Sequence, residues 1–283
     1  MSGALVTEME IIGIDFTSSP CPNKRFTALY CSFTDGVLRP EKIELWDSFI
    51  SLEQALLRPG PWIAGIDFPF GQSRTLISNV GWPNSWAGYV TYANSLGKEG
   101  YRAALNAYKA NRPEGDKEHR RQTDKVARSI SPQKLHYTPV GLMFFEGAFR
   151  LLKAGVTIPH VQTGDPDRVC VEAYPALLAR RFLGQRQYKH DSKKAQSEDH
   201  HAARLEIMER IDRGDLYLEF GFRVENSFRL TDDPTGDQLD ALLCAIQAAW
   251  AWTCRHNGYG APPDVDPLEG WIADPVCSKG IRL

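Results

Sequence analysis

Two stretches decide the fold: MEIIGIDF, Met9 to Phe16, and WIAGIDFPFG, Trp62 to Gly71. Each is a short apolar run that reaches an aspartate, Asp15 or Asp67, and then meets turn formers, TSSPCPNK in the first case and Pro69 and Gly71 in the second. A short apolar run bounded by turn residues reads as a buried strand. Between them, FTALYCSF (Phe26 to Phe33) is strand-like, Asp35-Gly36 is a hairpin signal, and VLRPEKIELW supplies a third strand. Three strands on short turns predict an antiparallel meander. SLEQALL then predicts a helix, with Ser51 and Gln54 at capping-box spacing and Arg58-Pro59-Gly60-Pro61 as its stop. A strand, helix, strand order after a meander calls for a crossover to a parallel neighbour.

Further along, residues 85–155 read as mainly helical: SWAGYVTYANSLG, YRAALNAYKANR and PVGLMFFEGAFRLLKAG, with the polar stretch NRPEGDKEHRRQTDKVARSISPQK between them as an exposed loop. RVCVEAYP (Arg168 to Pro175) is another strand, carrying Glu172, and ALLARRFLG follows as a helix opened by proline. Residues 191–214 predict a charged helix. In TGDQLDALLCAIQAAWAWTCRHNG, Thr235 and Gln238 make a second capping-box pattern ahead of a long apolar helix, and His256-Asn257-Gly258 marks its end. There is no internal repeat.

Composition narrows the class. The chain has 283 residues, 33 Lys+Arg against 35 Asp+Glu, 42% hydrophobic and 24% charged residues, which is the profile of a globular protein with a large core. No apolar run is long enough for a membrane span, and the N-terminal residues lack the basic region of a signal peptide. The six cysteines contain no CxxC pair, and with no export signal they read as reduced thiols of a cytoplasmic protein. Near-neutral charge argues against general nucleic-acid coating while leaving room for a local basic groove.

The chemistry is carried by acids. Asp15, Asp67 and Glu172 end three predicted strands, and Asp237 and Asp240 sit three apart at the start of the late helix. Function collects at the carboxyl ends of strands in open α/β sheets, and helix residues three apart share a face. Converging carboxylates repel, and a hard divalent cation removes the conflict. Two such ions, about 4 Å apart, activate a water and stabilise the leaving oxygen in phosphodiester cleavage. The expected cofactor is Mg²⁺ or Mn²⁺, as two ions. The competing structural reading is that each Asp forms a turn or cap. It is strongest for Asp237, in the capping box, and weakest for Asp240, beside an apolar stripe where an unpaired carboxylate is costly.

GIDFTSSP, WIAGIDFPFG, VCVEAYP, DQLDALLCAIQAA and the closing EGWIADP (Glu269 to Pro275) resemble, in that order, the domain-of-unknown-function family 429, whose members are predicted nucleases of the RNase H fold. The resemblance implies a single α/β domain over residues 1–283: an RNase H-like mixed five-stranded sheet, meander plus parallel strands, flanked by helices. A mainly helical insertion would occupy residues 82–162. It also implies that Asp15, Asp67, Glu172 and Asp240 form an acidic metal site, with a nucleic acid as partner.

A nuclease must also hold phosphates. Lys109, Arg112, Lys117, Arg120, Arg121, Lys125 and Arg128 form one basic run, and Arg180, Arg181, Arg186, Lys189, Lys193 and Lys194 a purer one. From these, Arg121, Arg180 and Arg181, with Ser18 in the hydroxyl-rich turn after the first strand, are the candidate phosphate-binding residues. The alternative for each run is a solvated face, and the spacing of Arg121 to Asp124 suits an intrahelical pair. Trp82, Trp86, Tyr89 and Tyr92 have the chemistry to stack on bases, although core packing is the expected use. His200 and His201 are adjacent and do not share a helix face, which argues against a metal site there. No GxGxxG, GxxxxGK[ST], HExxH or GxSxG occurs. Two other readings stay open: an ATP-binding phosphotransferase, because GIDFTSS also resembles the first strand and turn of sugar kinases and related ATPases, and a non-catalytic binding or scaffold protein.

Overall fold

The computed structural model describes residues 8–190 and 195–279. The meander forms as expected. β1 (Met9–Asp15) pairs antiparallel with β2 (Phe26–Thr34), which pairs antiparallel with β3 (Val37–Trp46). Asp35 and Gly36 turn the second hairpin in left-handed conformation, φ 53° and 71°. α1 (Phe49–Leu56) crosses over to β4 (Trp62–Ile66), which lies parallel to β1. α1 begins two residues before the predicted capping box, after Ser48.

Between β4 and the next long strand the chain builds α2 (Arg74–Val80), α3 (Trp86–Ser95), α4 (Gly97–Ala110), α5 (Gln122–Ala127) and α6 (Val140–Ala154). β5 (Val156–Thr157) and β6 (Asp165–Glu172) then extend the sheet in parallel beyond β4. α7 (Pro175–Leu183), α8 (Glu198–Asp212) and α9 (Tyr217–Phe220) lead to β7 (Arg223–Val224), parallel to β3 at the far edge. α10 (Asp237–Thr253) and α11 (Pro275–Ser278) complete the chain. The sheet order is β5-β6-β4-β1-β2-β3-β7. It has seven strands, where five were expected. The two additions, β5 and β7, are two-residue edge strands too short to leave a periodic signal. The mixed sheet flanked by helices is compatible with an RNase H-like fold. No helix among the described residues is long and apolar enough to cross a membrane.

Strand alternation sorts the core into two layers. Ile11 of β1 and Ile63 of β4 pack with α7, α8 and α10, whereas Ile12, Ile14, Ala64 and Ile66 pack on the opposite face with α1, α3, α4 and α6. Trp86 and Tyr89 are buried in the second layer. Their polar atoms are satisfied by the carbonyls of Phe70 (2.7 Å) and Leu268 (2.6 Å), so they serve the core.

α10 lies directly on β1 and β4. Gly13 and Gly65 are register partners in the parallel pair. A Cβ on Gly13 would overlap the Ala241 carbonyl oxygen, and one on Gly65 the Cys244 carbonyl oxygen. The missing side chains let the helix backbone touch the sheet. Asp233, rather than the predicted Thr235–Gln238 box, caps α10: its carboxylate accepts the Gln238 N–H at 3.0 Å and binds Thr235 through its N–H and hydroxyl.

The C-terminal EGWIADP segment is a clasp. Glu269 accepts the backbone N–H groups of Arg74 (2.9 Å) and Gln122 (2.8 Å), the first residues of α2 and α5. One carboxylate thus meets the positive ends of two short helices. Asp274 accepts from Gln247 of α10 and pairs with Arg181 of α7.

Gly13→Ala should lower unfolding stability by at least about 3 kcal/mol through overpacking. An unchanged denaturation midpoint would show that α10 does not depend on that contact.

Candidate functional site

Alternation also decides where each acid points. Asp15 follows Ile11 and Gly13 on the α10 side of β1, and Asp67 follows Ile63 and Gly65 on the same side of β4. The Asp67 N–H donates to the Ile14 carbonyl (3.0 Å), so the two strand ends stay joined up to the acids. The first turn of α10 brings Asp237 and Asp240 to these ends. Asp240 is buried, at 2% exposure, while Asp15, Asp67 and Asp237 each keep part of their surface open.

Among the described residues, Lys189 is the cation paired with these acids. Its ammonium is bound to Asp240 and lies 3.5 Å from Asp237. Tyr188 donates its hydroxyl to the other oxygen of Asp240 at 2.6 Å. Burial works against the Lys189 charge, but Asp240, then Asp15, hold it charged well above the ordinary lysine range. The acids move the other way. Burial drives Asp15 well above the carboxylate range, with Asp237, Asp240 and Asp67 adding to the shift and Lys189 opposing it. Burial also raises Asp240 against the pull of Lys189. Asp67 is pushed up to about 7, by burial first and then by Asp240. Among the described residues, no three His, Cys, Asp or Glu side chains are gathered as metal ligands.

Glu172 lies near enough to help raise Asp67 but does not share the α10 face with these acids. In β6, Val169 and Val171 face α10 and Cys170 faces the other layer, so Glu172, one residue on, turns with Cys170. There both its oxygens are taken. Arg121 donates through Nη2 to Oε1 (2.6 Å) and through Nη1 to Oε2 (2.7 Å), and the Phe70 N–H donates to Oε2 (2.9 Å). Burial raises the Glu172 carboxyl, against the pull of Arg121.

Arg121 is 1% exposed. It caps α5 and pairs with Asp124 through Nε and Nη2, both at 2.9 Å, while Nη1 also donates to the Glu269 carbonyl at 3.0 Å. The intrahelical pair that its spacing allowed therefore forms, and it continues into the sheet. The segment read as an exposed loop carries this buried guanidinium at its centre.

The remaining phosphate-binding candidates are also tied internally. Arg180 donates to the Ala127 carbonyl (2.5 Å) and lies 5.2 Å over the Tyr174 ring. Arg181 pairs with Glu219 and Asp274. Ser18 is buried in the turn after β1. Arg186 pairs with Glu206, Arg112 with Asp116 and Lys109 with Glu118. Lys193 and Lys194, with the start of the predicted 191–214 helix, lie outside the described residues. His200 closes a capping box with Ser197 at the start of α8.

A cleft of about 340 Å³ opens beside Asp67. Its floor is Asp67, Glu172, Arg121 and Asp124, and its walls come from the Ser129–Ile130 turn, the start of α6 and the start of α7. Lys189, Tyr188 and Asp124 were not singled out in the sequence as site residues. Lys189 was one of a basic run, and no local pattern links it to Asp240, 51 positions away in the chain.

Two outcomes test these electrostatics. An acid whose folded value is raised stabilises less as pH rises from its unfolded value, about 3.9, to the folded one, because the unfolded chain ionises first. In EDTA, Asp67→Asn should therefore melt above wild type at pH 8, with the gap closing as pH falls from 7 toward 4. A pH-independent gap would rule out the raised carboxyl. Arg121→Met strands Glu172 and Asp124 without their cation and should cost about 3–5 kcal/mol by chemical denaturation; a loss below about 1 kcal/mol would contradict the pairing.

The family model described as "Protein of unknown function (DUF429)" matches residues 13–266. No curated protein and no solved structure matches the chain. The matched span runs from Gly13, under α10, through all four clustered acids to Asp266, which pairs with Arg74. On that match the chain belongs to the domain-of-unknown-function family 429.

Proposed function

We propose that this protein is a divalent-metal-dependent phosphodiesterase acting on nucleic acid, with Asp15, Asp67 and Asp240 as its working acids and Asp237 beside them. The observation that carries the reading is the grouping of these acids at the adjoining ends of β1, β4 and α10, around the Lys189 ammonium. Burial first, and for Asp15 and Asp67 the neighbouring carboxylates as well, raise the Asp15, Asp67 and Asp240 carboxyls against the pull of Lys189.

The donor chemistry fits Mg²⁺ or Mn²⁺, which take carboxylate oxygens and retain water. Asp15, Asp67 and Asp240 would hold the metal. Lys189 now occupies one oxygen of Asp240, so metal and ammonium compete for the same carboxylate. Two bound ions would supply an activated water and neutralise the leaving oxygen.

The other roles fall to the chain. Tyr188 fixes the orientation of Asp240 through its hydroxyl. Asp67, with a carboxyl near 7 in the metal-free protein, must ionise to hold a divalent cation, so metal uptake would release a proton at neutral pH. Displaced from Asp240, Lys189 carries a charge suited to a phosphate oxygen. Glu172 acts at one remove, by locking Arg121 and α5 against the strand ends that carry Asp67.

The test is thermal stability with and without Mg²⁺ or Mn²⁺, followed by cleavage of single-stranded, duplex and hybrid substrates. Wild type should gain about 2.7 kcal/mol at one hundred times Kd. Lys189→Met, lacking the competing ammonium, should gain more. Asp15→Asn should show neither the gain nor cleavage while remaining folded. Metal-dependent cleavage by Asp15→Asn at the wild-type rate would overturn the assignment.

A further inference from the structure

The cleft beside Asp67 has the size and lining of a site for one flat, largely apolar group. Its volume, about 340 Å³, is at the small end of ligand pockets. Val140 and Met143 of α6, Ala176 of α7 and Tyr174 just before it supply apolar walls. Part of the polar lining has its partners already: Arg121 is consumed by Asp124, Glu172 and the Glu269 carbonyl, and the Ser129 hydroxyl donates to Asp124 at 2.7 Å. The apolar walls then offer an occupant its largest contact area.

The lip of the cleft adds a second, independent feature. Tyr137 precedes the cleft residue Thr138 and is 97% exposed. Its backbone is in the left-handed region, φ 63°, which a bulky side chain rarely adopts. A strained aromatic held in water points to a function outside the fold. A cation stands beside it: Lys134 Nζ lies 6.0 Å over the Tyr137 ring, and exposed Arg128 precedes the cleft residue Ser129 in the chain. An exposed ring with a cation beside it, next to an apolar-walled cleft and an acidic centre, matches an unpaired nucleotide, whose base has two apolar faces and whose phosphates are anionic.

We infer that the cleft receives one unpaired base of a single-stranded nucleic acid, with Tyr137 stacking at its lip, so that the adjoining phosphodiester lies toward Asp67. The inference rests on the phosphodiesterase reading and narrows its substrate to single strands, or to strands with a base flipped out, because a base within a duplex is already stacked on both faces.

The experiment is fluorescence anisotropy of an end-labelled oligothymidylate in EDTA, with the duplex of equal length as comparison. Wild type should bind the single strand more tightly than the duplex. Tyr137→Ala should weaken single-strand binding by roughly ten-fold and leave duplex binding unchanged, Tyr137→Phe should bind as wild type, and Ala176→Trp, which fills the cleft, should also weaken it. Equal affinity for the two forms, or wild-type affinity in both Tyr137→Ala and Ala176→Trp, would overturn the inference. Because EDTA removes metal, binding is read apart from catalysis.

Discussion

The contact between α10 and the two central parallel strands is the constraint on which the site depends. A helix packed on a sheet is normally held off by the side chains of both. Here Gly13 and Gly65, paired in register, remove that layer, and the helix backbone meets the sheet. The close approach puts the first turn of α10 level with the carboxyl ends of β1 and β4. Asp237 and Asp240 then share one recess with Asp15 and Asp67. A side chain at either glycine would push the helix outward and part the two pairs of acids.

A second constraint ties the helical segment between β4 and β6 to that centre. Arg121 bridges Asp124 and Glu172 deep in the protein, and Glu269 holds the start of α5 beside it. Ion pairs this deep add little net stability relative to an apolar packing, but they are costly to break. Their consequence is positional: α5 cannot leave the strand ends without exposing an unpaired charge. The cleft between α5, α6 and α7 therefore keeps a fixed wall next to Asp67.

The acids themselves were legible. A carboxylate after an apolar strand, and one beside the buried stripe of a helix, stand out because neither place suits a charge without a purpose. Glu172 looked equivalent to Asp15 and Asp67, since all three end strands. It differs by one residue of phase, which in a strand reverses the face. Arg121 was singled out for its chemistry, yet its partners come from β6 and from the segment after residue 268, which no local spacing could announce. Lys189 belonged to a basic run like any other; only its position beneath α10 makes it the counter-ion of the cluster. β5 and β7 went unseen because two residues give no periodicity.

The sequence by itself determined the meander, the crossover to a parallel strand, the helical character of the middle segment and the identity of the clustered aspartates. These follow from turn chemistry, apolar periodicity and the cost of burying charge, all of which act over a few neighbouring residues. Which acids share a face, which cation lies among them, and the cleft beside Asp67 emerge with the packing of the folded chain. Those depend on strand phase across a sheet and on contacts between segments far apart in the chain, where the energy lies in the pairing and neither partner carries a mark of it alone.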